Sequence, residues 1–241
     1  MPVLALDTSA AVSVALIDAE GRTLATRVVH EERRHAEQLA PMIADVLAAT
    51  GTDRTALTGI VVGTGPAPFT GLRVGLVSAR ALGLALDIPV HGVCGLDAIA
   101  AQAAIDLSLA AGTEVLVVTD ARRREVYWAR YRVAGAAPQS LRVELVAGPG
   151  VASAAQVAAD GHADGAIVVG PGASLYPEQL PPVDGAPTDP DPVVLARLAL
   201  ARVALGEDLP TEPLYLRRPD VVAPAPRKHV VTPAARKRAL A

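Results

Sequence analysis

One block constrains this chain more than any other: Gly63-Thr64-Gly65-Pro66-Ala67-Pro68-Phe69-Thr70-Gly71-Leu72-Arg73-Val74-Gly75, a glycine-rich turn that runs straight into a helix. Beyond it the small residues Gly71, Gly75, Ala79 and Gly83 recur at i, i+4, i+8 and i+12, so they line one stripe of that helix. A stripe without side chains admits another backbone at close range. Each glycine in a helix interior costs about 0.5–1 kcal/mol relative to alanine, so three of them predict a contact that offsets the loss. The expected contact is a helix of a partner.

Composition narrows the class. At 241 residues the chain can form one large domain or two small ones, each with its own core. Apolar residues make up 51% but aromatics only 2%, so the core has to be built from Ala, Val and Leu brought close together. Only Lys228 and Lys237 accompany twenty arginines, a usage that fits a GC-rich genome and gives any single arginine little weight. The net charge of −3 hides an asymmetry, because residues 217–241 hold seven Lys and Arg against one acid. That end is +6 and the body −9. A basic end of this kind can meet RNA phosphates or an acidic protein, or simply be solvated.

The start, Met1-Pro2-Val3-Leu4-Ala5-Leu6, meets Asp7 too soon to read as a secretory signal. The longest uncharged stretch, Thr55 to Leu72, is interrupted by Gly59, Gly63, Gly65, Gly71, Pro66 and Pro68, so no membrane span is expected there. A lone Cys94 cannot form an internal disulfide. The expected location is the cytoplasm.

Hydrophobic patterning predicts strands at Val3 to Asp7, Ala11 to Asp18 and Thr23 to His30, with a turn at Asp18-Ala19-Glu20-Gly21. Leu39, Met42, Ile43, Val46 and Leu47 then repeat with helical spacing, predicting a helix from about Arg34 to Thr50 that ends at Gly51 and carries Pro41 inside it. A strand at Gly59 to Gly63, the striped helix to about Leu86, a short strand at Pro89 to Val93 and a helix at Leu96 to Ala110 follow. After Ala111-Gly112-Thr113 the order starts again. Strands are expected at Glu114 to Thr119, Glu125 to Val133 and Leu141 to Val146, then a helix from Val151 to Ala159 and a strand at Ala166 to Val169. Pro177 to Pro192 reads as a loop. Asp191, Pro192 and Gly206 bracket a last helix that carries Val194, Leu195, Leu198, Ala201 and Leu205 and is expected to lean on the first lobe.

Two copies of one β-β-β-α-β unit predict an α/β, two-lobed actin-like or hexokinase-like (ASKHA) fold with a reduced second lobe. The expected division is 1–110 for the first lobe, 111–216 for the second and 217–241 for a poorly ordered basic tail.

Residue types that carry chemistry are few. Asp7-Thr8-Ser9 ends a strand, where it can contact phosphate or a metal, or cap a tight turn through local hydrogen bonds; the second reading is favoured. Asp7 and Thr8 remain weak cofactor candidates. Pro66 and Pro68 have no N–H, which makes the turn before the striped helix a poor phosphate cradle. His30 and His35 are five apart, whereas helical metal pairs are three or four apart, so no metal site is expected. Arg73 near a helix start opposes the macrodipole and predicts an anionic neighbour. Arg122, Arg123, Arg124, Arg130 and Arg132 surround Tyr127, Trp128 and Tyr131. Such a mixture suits nucleic acid, but an arginine turn leading into an exposed strand accounts for it with less.

Leu4-Ala5-Leu6-Asp7-Thr8-Ser9, Arg34-His35-Ala36-Glu37-Gln38-Leu39-Ala40-Pro41-Met42-Ile43, the Gly63 to Gly75 block and Tyr215-Leu216-Arg217 together resemble the TsaB (YeaZ) family, strongly over residues 3 to about 105 and weakly beyond. Ala67 and Pro68 stand where that family usually has Gly and Ser. The resemblance implies a non-catalytic dimerisation and scaffold subunit for threonylcarbamoyl transfer to the tRNA adenosine beside the anticodon. It implies a TsaD-like catalytic paralogue and a TsaE-like ATPase as partners, with tRNA met through the complex and no cofactor; whether the free chain forms a homodimer when alone is left open. In the TsaD paralogue a pair of histidines binds metal after the short strand; the stretch here, Val93 to Ala101, has none.

The pairing surface expected from the stripe and the resemblance is a two-helix layer. Leu39, Met42, Ile43 and Val46 stand on one helix, and Phe69, Leu72, Gly75, Leu76, Ala79 and Gly83 on the other. The rival expectation is an ATP-dependent transferase that keeps a working cleft around Asp7 and Asp120.

Overall fold

The computed structural model describes residues 2–30, 35–137 and 141–217. Strand β1 (Val3–Asp7) is buried along its whole length and reads as a continuous apolar run because both of its faces are covered. Alternation then decides which side goes where. Leu4 and Leu6 join the core under α1 (His35–Thr50) and α2 (Phe69–Leu86), while Val3 and Ala5 join the core under α3 (Gly95–Asp106) and α6 (Pro192–Ala204).

Around β1 stand β2 (Val12–Ile17), β3 (Thr23–Val29), β4 (Gly59–Gly63) and β5 (Val90–Val93), in the order β3-β2-β1-β4-β5. The hairpin strands pair antiparallel, Val3 opposite Ile17 and Asp7 opposite Ser13; β4 lies parallel to β1. The second lobe repeats this with β6 (Glu114–Asp120), β7 (Glu125–Gly135), β8 (Arg142–Ser153) and β9 (Ile167–Val169), ordered β8-β7-β6-β9. Again the third strand is antiparallel to the second, and β9 lies parallel to β6. The fold is the two-lobed, duplicated α/β fold expected from the order of elements.

Helix α3 has no polar face to show solvent over most of its length. Leu96, Ala98, Ile99, Ala100, Ala101, Ala103 and Ala104 are all buried, because α3 and α6 form a layer between the two sheets. One core therefore contains Val3 and Val61 from the first sheet and Val115, Val117 and Tyr131 from the second. Helix α6 begins at Asp191, whose Oδ1 accepts from the backbone N–H groups of Val193 and Val194 at 2.7 and 3.2 Å, with Pro192 at its first turn.

Three expectations shift. Strand β8 continues to Ser153 rather than ending at Val146, so α4 (Ala154–Ala159) starts three residues late, capped by the Ser153 side chain. Gly148-Pro149-Gly150 reads as a break in sequence, but the missing side chains make room for the Trp128 ring: a Cβ on Gly150 would lie 2.9 Å from its Nε1. Helix α3 stops at Asp106 instead of Ala110, with Ser108 at a φ of 50° just beyond it. Leu205, expected on the buried face of α6, caps the helix and is 66% exposed. The expected helix start at Arg34 and the tail from Arg218 lie outside the described residues. A short helix α5 (Pro171–Leu175) follows β9.

Candidate functional site

The two duplicated hairpins face each other across a cleft of about 940 Å³ lined by Thr8, Ser9, Pro66, Thr70, Thr119, Asp120, Arg122 and Asp189, among others. At its first wall Asp7 Oδ1 accepts from the Ser9 N–H at 2.8 Å and from the Ser9 hydroxyl at 2.5 Å. Gly63 has to be glycine here, since its Cβ would fall on the Asp7 carboxylate. Thr8 is turned into its own lobe: its hydroxyl donates to the Gly71 carbonyl at 2.8 Å and accepts from the Gly75 N–H at 2.9 Å. The other wall has the same construction. Asp120 Oδ1 accepts from the Arg122 N–H at 2.7 Å, and its other oxygen lies 3.2 Å from the Arg122 guanidinium. The weak candidates Asp7 and Thr8 thus serve turn capping and helix docking, and Asp120 is paired with a cation.

The turn into α2 is likewise tied internally. Thr64 N–H donates to the Val93 carbonyl at 2.8 Å, and Gly95 N–H donates to the Gly65 carbonyl at 2.7 Å. Among the described residues no group of three or more His, Cys, Asp or Glu could hold a metal ion. His30 Nδ1 lies 3.8 Å from Asp189. Burial pushes the Cys94 thiol up to about 12, so it is an inert thiol rather than a nucleophile. Behind it Tyr131 donates to Asp97 Oδ1 at 2.7 Å, and Arg202 reaches Asp97 Oδ2 at 2.7 Å, joining β7, α3 and α6.

The helical layer differs from the sequence expectation. Leu39, Met42, Ile43 and Val46 on α1, and Leu72, Gly75, Leu76, Ala79 and Gly83 on α2, are all buried against the sheet of their own lobe. The stripe is the reason. A Cβ on Gly75 would meet Thr8 Oγ1, and one on Gly83 would meet the Val90 side chain, so the missing side chains let α2 approach its own strands rather than another chain. Of the ten residues only Phe69 is exposed, at 41%. What faces outward is a second, mostly apolar face: Ala40, Pro41, Ala44 and Ala48 on α1, and Val77, Ala81 and Leu84 on α2, with Val77 64% and Leu84 87% exposed. By length and composition α2 could cross a membrane, but five of its residues pack into the lobe.

Arg73 also departs from expectation. Its described neighbours are aromatic, with its guanidinium carbon 3.5 Å from the centre of the Phe69 ring and its Nε donating to Tyr215 Oη at 2.9 Å. Tyr215 belongs to a strap, residues 208–217, that the sequence signalled only through the Tyr215-Leu216-Arg217 match. Gly92 N–H donates to the Leu209 carbonyl, Arg80 grips Thr211, and Leu214 N–H donates to the Thr64 carbonyl. Arg217, counted with the tail from sequence, ends the strap on the second lobe, 2.8 Å from the Ala121 carbonyl and 2.9 Å from Glu125.

The arginine and aromatic cluster separates into different roles. Tyr127 and Tyr131 are buried, and Arg130 is held by Glu114 and the carbonyls of Gly161, His162 and Asp164. Trp128 stacks on His162 with ring centres 3.9 Å apart. No open stacking platform is formed by these residues.

Similarity to known proteins agrees with this architecture. The family model described as TsaD, tRNA N6-adenosine threonylcarbamoyltransferase, matches residues 26–169. An uncharacterized protein of Mycobacterium tuberculosis is 43% identical over 224 residues, 90% of this chain and 92% of that one. The tRNA threonylcarbamoyladenosine biosynthesis protein TsaB of Escherichia coli is 38% identical over 136 residues, 55% of each chain. Among solved structures, YeaZ from Pseudomonas aeruginosa superimposes with a TM-score of 0.72 at 31% identity, over 88% of this chain and 97% of that one. With that match over nearly the whole of a YeaZ structure, the chain belongs to the TsaB/YeaZ family.

Proposed function

We propose that this protein is a non-catalytic scaffold subunit in the formation of threonylcarbamoyladenosine on the tRNA adenosine next to the anticodon, pairing with a TsaD-like catalytic paralogue. Escherichia coli TsaB, 38% identical over about half of each chain, is a tRNA threonylcarbamoyladenosine biosynthesis protein, which supports the pathway. The observation that carries the scaffold reading is the division of the first lobe into two apolar faces. One face of α1 and α2 closes the lobe's own core, and the other, with Val77 and Leu84 outermost, is left on the surface. The pairing surface is therefore the outward face of the two helices, extended by Phe69 and Tyr215, and it is matched by the same layer of the paralogue or of a second copy.

The acidic turns of the cleft are engaged within the fold, Asp7 with Ser9 and Asp120 with Arg122, which supports a chain that performs no transfer itself. A TsaE-like ATPase completes the complex, and tRNA is met through it. Two measurements test this. The full chain should copurify with the catalytic paralogue from the same organism, and calorimetry with ATP and magnesium on the isolated chain should give no micromolar binding. Micromolar ATP affinity would favour the rival transferase reading, in which the cleft of about 940 Å³ is a working site.

A further inference from the structure

The turn joining β6 to β7 has residues that its own backbone does not favour. Arg122, Arg123 and Arg124 all have positive φ, at 63°, 53° and 63°. Glu125 N–H donates to the Arg122 carbonyl at 3.0 Å, and Ala121 N–H to the Glu125 carbonyl at 3.0 Å, so Arg123 and Arg124 are the two central residues of a turn of the I′ pattern. That pattern favours Asn followed by Gly, because a Cβ crowds the left-handed conformation. Three successive arginines in it place charge where conformational preference would place none.

Surrounding residues hold the turn in position. Asp120 accepts from the Arg122 N–H and pairs with its guanidinium; Arg217 reaches in from the strap to the Ala121 carbonyl and to Glu125. Arg122 lines the interlobe cleft, so the turn stands at its rim, and all three arginines are exposed. Among the described residues, four guanidinium groups gather here around the carboxylates of Asp120 and Glu125, in a body whose charge is −9 without residues 217–241. From Arg217 the sequence continues with six more Lys and Arg against one Asp.

We propose that the Arg122-Arg123-Arg124 turn is a phosphate-binding contact for RNA, at the rim of the interlobe cleft. This rests on the tRNA-modification reading above. The buried Tyr127 and Tyr131 offer no stacking surface, so the contact reads charge and not base sequence. Guanidinium groups on a fixed turn suit phosphate oxygens, which they can meet two N–H groups at a time.

The test uses the substitutions the turn itself would choose, Arg123→Asn with Arg124→Gly. The complex of the full chain with its catalytic paralogue is titrated with unmodified tRNA across a salt series, and in parallel with poly-glutamate. The thermal midpoint of the variant should equal or exceed that of the parent chain. Its tRNA affinity should be about tenfold lower near 0.1 M salt, with the slope of log K against log salt reduced by roughly 1.4 to 1.8, the release expected for two lost phosphate contacts. Equal tRNA affinity and slope in the two complexes would overturn the proposal and leave the scaffold reading standing. Failure of the parent complex to bind tRNA at all would overturn both. Loss of poly-glutamate binding with tRNA binding unchanged would assign the turn to an acidic protein segment instead.

Discussion

The Gly75 N–H donates to the Thr8 hydroxyl at 2.9 Å, and a Cβ on Gly75 would sit 2.7 Å from that same oxygen. The hydroxyl cannot step aside, because it also donates to the Gly71 carbonyl. Gly75→Ala should therefore destabilise the lobe by about 1–3 kcal/mol, as overpacking usually does, although alanine is the better helix former. Denaturant melts of Gly75→Ala and of the double variant with Thr8→Ala check this. The double variant should be less destabilised than the sum of the two single changes.

Val77 and Leu84 point away from the core that Gly75 faces. Val77→Glu and Leu84→Glu should leave stability within about 0.5 kcal/mol of the parent chain, since neither residue is buried. Each should weaken pairing by about 1–3 kcal/mol, as charge on a desolvated contact does. Gel filtration with light scattering, with and without the paralogue, reads both effects. Intact complexes from both variants would move the pairing surface elsewhere.

Asp97 is the meeting point of Tyr131 and Arg202, from β7 and α6. Asp97→Ala leaves a phenol and a guanidinium without their shared acceptor in a largely enclosed place. It should cost about 2–4 kcal/mol, and Tyr131→Phe about 1–2 kcal/mol. A double-mutant cycle on the two positions, followed by chemical denaturation, should show a coupling of at least about 0.5 kcal/mol.

Much of this was legible in the residues and some was not, and the difference is physical. Strand β1 could be read because Val3 to Leu6 is an unbroken apolar run closed by Asp7, and α6 because Asp191, Pro192 and Gly206 mark its ends chemically. The direction of the glycine stripe could not be read: Gly75 and Gly83 say only that something comes close, and whether that is Thr8 and Val90 or another molecule depends on tertiary position. The extension of β8 was hidden because Gly148-Pro149-Gly150 is turn chemistry in isolation and acquires its role only beside Trp128. Arg73 predicted an anion and found Phe69 and Tyr215, the latter 142 residues away in sequence.

Glu114 accepts from Arg132 and Arg130, and these hydrogen bonds hold its carboxyl below the usual value of 4.5. A carboxyl lowered in the folded state stabilises the fold above its unfolded value, and that contribution is lost as pH falls through the folded value. Glu114→Gln should therefore lower the thermal midpoint at pH 7, and the gap between parent and variant should narrow as pH falls below the usual carboxyl value of 4.5. Melting curves from pH 7 to pH 3 read this directly; a difference that persists unchanged at the acid end would contradict it.

The strap of residues 208–217 ties the helix that carries the outward apolar face to the opposite lobe. One end lies along α2 through Arg80 and Arg73, and the other is pinned by Arg217 to the arginine turn of the opposite lobe. A partner that clasps Phe69 and Tyr215 takes hold of this tether as well as of a helix. The two lobes are thus joined twice, once through the core that α3 and α6 share between the sheets and once through this peptide on the surface, so the helix that carries the outward apolar face and the turn at the rim of the cleft belong to one connected body.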